Sequence, residues 1–68
     1  MLINVETKNG MSYLFRVMWD ADGQFTTCRI NGGISRTVTA LSISEGIVRF
    51  KFEGADWTVS NVASIDIH

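Results

Sequence analysis

What this chain lacks narrows it before any residue is placed. Its only cysteine is Cys28, which excludes an internal disulfide and a cysteine-rich metal site. Proline is absent throughout. Neither sign of charge is in excess: six Lys and Arg face seven Asp and Glu, and the net charge of −1 supplies no bulk field for nucleic acid or an anionic membrane. Any such binding requires a local patch. No window approaches the roughly 18 apolar residues of a spanning helix. The opening "MLINVETKNG" carries no basic segment leading into an apolar run, and a cytoplasmic protein without membrane attachment is expected. Helical periodicity is missing too, since no window holds apolar residues at i, i+3, i+4 and i+7 behind a cap.

What the chain has in quantity is strand-forming sequence. At 68 residues and 46% hydrophobic content it is too apolar for disorder and too short for a second core, so residues 1–68 are expected to form a single small domain. Surface-to-volume scaling leaves so small a domain near the margin of stability. Without a disulfide or metal to staple it, association with further copies is the remaining source of burial, and a homo-oligomer is expected.

Alternation of period two recurs along the chain. Ile3 and Val5 oppose Asn4 and Glu6, and the dipeptide at Asn9 and Gly10 predicts a type I′ hairpin turn. From Met11 to Trp19 every odd position is apolar or aromatic, which marks one full core face. "DADGQ" at Asp20 to Gln24 reads as a turn, Phe25 to Ile30 as a strand, and "NGG" at Asn31 to Gly33 as its end. In residues 34–43 the apolar phase slips from Ile34 and Val38 to Leu41 and Ile43, which predicts a bulge or a change of sheet near Ala40. Val48, Phe50 and Phe52 then share a face, Trp57 and Val59 point inward, "SNVA" suggests a 3₁₀ turn, and Ser64 to Ile67 ends as a strand. That last strand is expected to pair with the first, or with an edge of another copy.

The fold expected is all-β: a small antiparallel meander of six to seven short strands, closing into a small barrel or a compact two-layer sandwich. The pattern resembles SH3-like and Sm-like barrels in architecture, a likeness that implies no function.

Reactive chemistry is sparse. Asp20 and Asp22 beside Gly23 are a fragment of a calcium loop without its remaining ligands, so "DADG" reads as a hairpin. Asp22, Glu45 and Asp56 fall in turns, where solvated carboxylates are ordinary, and neither they nor Asp66 suggest a catalytic pair. His68 is the only histidine and stands last, so no triad forms around it. Cys28 reads as a small buried apolar group, although Arg29 adjoins it. The glycine dipeptides are too short for phosphate loops. No enzyme activity, cofactor or metal is expected.

Two patterns point to binding instead. Leu2, Leu14, Met18 and Ile47 lie opposite the core phase and are expected to form an oligomer or partner interface. Arg16, Arg29, Arg36, Arg49 and Lys51 all fall in strands, where aligned faces would make a basic stripe for phosphates, with Tyr13 stacking on a base. The bland alternative for the stripe is a solvated face paired with Glu6, Glu53 and Asp66, and the net charge favours it. Four readings follow. The first is a non-catalytic regulatory module that acts as a homo-oligomer on a macromolecular partner, of the kind phages and mobile elements encode. The others are a small nucleic-acid binder, a sequestering protein for a small anionic ligand between subunits, and a component of a larger assembly.

Overall fold

Period-two alternation is realised wherever the sequence carries it. The computed structural model describes Met1 to His68 and contains seven strands: β1 (Leu2–Thr7), β2 (Ser12–Asp20), β3 (Gly23–Ile30), β4 (Arg36–Ser44), β5 (Ile47–Phe52), β6 (Ala55–Val59) and β7 (Val62–Ile67). All pairings are antiparallel, in one sheet of order β6-β5-β4-β3-β2-β1-β7. The last strand leaves β6 and pairs with β1, Ile65 opposite Val5 and Ile67 opposite Ile3. No helix is long and apolar enough to cross a membrane.

The sheet must bend sharply to make a core. β2 and β5 stand three places apart, a separation of roughly 14 Å in a flat sheet. Yet the rings of Phe15 and Phe50 meet edge to face at 5.2 Å between centroids. The bend is made in β4. Its first half pairs with β3 (Thr26 opposite Val38, Cys28 opposite Arg36), and its second half with β5 (Ile43 opposite Val48). Between them the register jumps from Thr39 to Ser42, and Ala40 takes a left-handed φ of 54°. A bulge of this kind adds one residue and turns the strand, which accounts for the phase slip seen in the sequence. The two halves enclose Ile3, Val5, Tyr13, Phe15, Cys28, Val38, Val48, Phe50 and Val59, with Phe15, Val5 and Val48 shut off from solvent.

Three local expectations are corrected. The Asn9–Gly10 turn is not type I′, because only Gly10 has positive φ, at 87°. Instead Gly10 N–H donates to Thr7 O at 3.1 Å and Thr7 N–H to Met11 O at 2.9 Å. This is a three-residue loop, a type I turn finished by a left-handed glycine. The loop is held against the β6–β7 link: Asn61 Nδ2 donates to Asn9 Oδ1 at 3.0 Å, and Lys8 N–H to Asn61 O at 2.8 Å. The two-residue geometry appears at Glu45–Gly46 and Glu53–Gly54, where both residues have positive φ. Second, "SNVA" forms no 3₁₀ turn; Ser60 and Asn61 are an extended link and β7 begins at Val62. Third, the sheet is not closed into a barrel, since β6 and β7 make no ladder and each keeps a free edge. The short Ser60–Asn61 link carries the chain from one layer to the other, where β1 is the strand within reach of β7.

Candidate functional site

Inner contact between β2 and β5 fixes what shares a surface. Because Phe15 and Phe50 face each other, side chains of the opposite phase on β2 and β5 point to opposite sides of the molecule. Leu14, Arg16 and Met18 of β2 therefore lie on one side with Arg29 of β3, around a single shallow depression. Leu2, which pairs with Arg16, belongs to the same face. Ile47, Arg49 and Lys51 of β5 lie on the other side, Arg49 opposite Thr58 and Lys51 opposite Asp56. The expected interface set is thus divided, with Ile47 apart from Leu2, Leu14 and Met18. All four are half-buried, and they are not the chain's most exposed apolar groups.

The basic residues do not make one stripe. Arg16 and Arg29 share one outer face, Arg49 and Lys51 the other. Arg36 is on the inner phase, opposite Cys28. Its side chain pairs with Glu53 at 3.7 Å and lies over the Phe52 ring, 5.9 Å from its centroid. Tyr13 is 8% exposed and edge-on to Phe50 at 6.5 Å, so its ring has no free face for a base. The phase of β2 already placed Tyr13 inside.

The most apolar concavity, seven of whose nine lining residues are hydrophobic, is one the sequence did not single out. It is a cleft of about 400 Å³ on the inner side of β3, β4, β5 and β6. Phe50, Phe52 and Trp57 line it, with Trp57 stacked on Phe50 at 5.9 Å and 23° and edge-on to Phe52 at 6.0 Å and 87°. The tight Glu53–Gly54 turn brings these rings together by placing Trp57 across from Phe50. Trp57 stays 37% exposed, and Ile34 at the lip is 76% exposed. Arg36 and Glu53 are the only charged residues in the lining. The available signal was that apolar Phe50 and Phe52 share a phase with Trp57 across a two-residue turn. An arginine on that same phase required knowing the β3–β4 register.

Cys28 lies at the base of this cleft and is buried. Burial raises its thiol pKa from 9.0 to about 11. Above 9.0 the unfolded chain releases this proton while the folded chain holds it until about 11, so stability falls as pH rises through that window. Urea midpoints should drop between those pH values, and more shallowly in Cys28→Ala. Equal slopes in both proteins would show that the thiol is not held in its neutral form.

No group of three or more His, Cys, Asp and Glu side chains gathers in a metal-binding arrangement. Neither a protein-family model, nor a curated protein, nor a solved structure matches this chain significantly.

Proposed function

We propose that this protein is a non-catalytic binding module that assembles with copies of itself and, as an oligomer, regulates a macromolecular partner by occupying it. One observation carries the self-association. Trp19 and Ile67 stand on the core-facing phase of β2 and β7, and Met1 precedes β1 in the same phase, yet Met1, Trp19 and Ile67 are 56%, 63% and 62% exposed. Met1 stands between the other two: its carbonyl accepts from Val17 N–H at 2.9 Å, two residues before Trp19, and it lies two residues before Ile3, which sits opposite Ile67. Trp19 stands past the start of β1, which pairs with β2 only over Leu2 to Glu6, and Ile67 stands on the edge strand β7, so each lacks a neighbouring strand on one side. The patch also adjoins the free edge of β7, whose backbone has no ladder on that side. Apolar surface beside an unpaired strand is what a second copy covers. The Leu14 and Met18 depression, flanked by Arg16 and Arg29, then remains for an acidic surface of the partner.

The test is a concentration series by sedimentation. The intact chain should associate at micromolar concentration, and Trp19→Ser with Ile67→Ser should yield a folded monomer. A chain that stays monomeric throughout the series overturns the reading, as does an oligomer unaffected by the double substitution.

A further inference from the structure

We infer that the cleft lined by Phe50, Phe52 and Trp57 is a binding site for a nucleobase, with guanine preferred. Its size and lining are those of a small-ligand site: about 400 Å³, mostly apolar, with a few polar groups at one side. Trp57 has one face against Phe50 and is partly exposed, so a flat ring entering the cleft meets an aromatic plane. Stacking of that kind suits a base and is indifferent to its identity.

The charged pair supplies the selection. Arg36 and Glu53 touch through a single ionic contact of 3.7 Å, are 53% and 70% exposed in their side chains, and neither makes a side-chain hydrogen bond. Most of the guanidinium donors and carboxylate lone pairs therefore remain free for an occupant. An inorganic anion alone meets Glu53, and a simple cation meets Arg36, so either is opposed by one member of the pair. A ring with acceptors and donors on adjoining edges satisfies both. Guanine presents O6 and N7 to an arginine, and its N1–H and N2–H run parallel toward a two-oxygen acceptor. Adenine offers a carboxylate only one such N–H, and uracil one. The inference stands on the cleft alone and is independent of self-association.

The base can arrive on a free nucleotide or in a single strand, and the experiment separates these. Amide and indole NMR spectra of the full chain are followed while adding GMP, AMP, or the pentaribonucleotides UUGUU and UUUUU. The indole Nε1–H of Trp57, assigned with Trp19→Phe, should shift with GMP and UUGUU, and GMP should bind about tenfold or more tighter than AMP. Similar affinities for GMP and UUGUU mark a nucleotide site; much tighter, salt-dependent binding of UUGUU marks a strand site. Trp57→Ala should abolish the shifts. Because that change removes packing from Phe50, Glu53→Gln in the exposed turn is the second variant, and it should erase the preference for GMP over AMP while the fold persists. No indole shift with any of the four, equal binding of GMP and AMP, or an unchanged preference in Glu53→Gln each overturns the inference.

Discussion

Phe15→Ala is expected to cost about 3–5 kcal/mol and to leave the chain largely unfolded at room temperature. The side chain is wholly enclosed and lies on the central strand of the larger layer, with its edge against Phe50 of the facing layer. It is therefore the contact that spans the bend. A domain of this length has a total stability of about 3–10 kcal/mol, and one with neither disulfide nor metal lies at the low end, about 3–5 kcal/mol, so the loss is comparable with everything the fold has. The void cannot collapse easily, because its cross-strand neighbours Ile3 and Cys28 belong to strands fixed by their own ladders. Urea denaturation followed by near-ultraviolet circular dichroism reads the effect. Phe15→Leu should keep a cooperative transition at lower urea, whereas Phe15→Ala should show none; an unchanged midpoint in the alanine variant would remove Phe15 from its central place.

Ending the chain after Asn61 should be equally damaging for a different reason. β7 covers one side of β1 and supplies Val62 and Ile65, which pack against the core. Without it, Val5 opposite Ile65 is bared and β1 becomes an edge strand with unpaired backbone groups. Two apolar side chains at about 1.5–3 kcal/mol each, together with a lost ladder, exceed the reserve of a small domain. Far-ultraviolet dichroism of the shortened chain should lose its strand signal, and a synthetic peptide of residues 62–68 should restore it. A shortened chain that stays folded alone would place the stabilising contacts elsewhere.

Much of this architecture was legible, and the reasons are specific. Met11 to Trp19 announced β2 because a face that is apolar at every odd position has one way to bury itself. The slip between Val38 and Leu41 announced the bulge, since side-chain phase is rigid within a strand and changes only where a residue is inserted. The return of the final strand to β1 was one of two expected pairings, the other being with an edge of another copy. What the chain did not disclose is which faces meet. Arg36 looked like a member of an outer stripe until the pairing of β3 with β4 put it across from buried Cys28. Leu14 and Met18 looked like the exposed apolar patch, but they share a depression with the stems of Arg16 and Arg29. Trp19 looked like core, and its phase is correct; it is exposed at the end of β2, past the start of β1. Alternation reports the side of a strand, whereas coverage depends on which strands run beside and over it.

The return of β7 to β1 also orders the events of folding. Every other ladder joins consecutive strands, so five hairpin-like pairings form over short loops while Ile3 must find Ile67 across nearly the whole chain. Local pairings zip on the microsecond scale, and the one distant closure bears the large loop entropy. The clasp between the two ends of the chain is thus the entropically most demanding pairing in the fold, and the contact order of the domain is set largely by it.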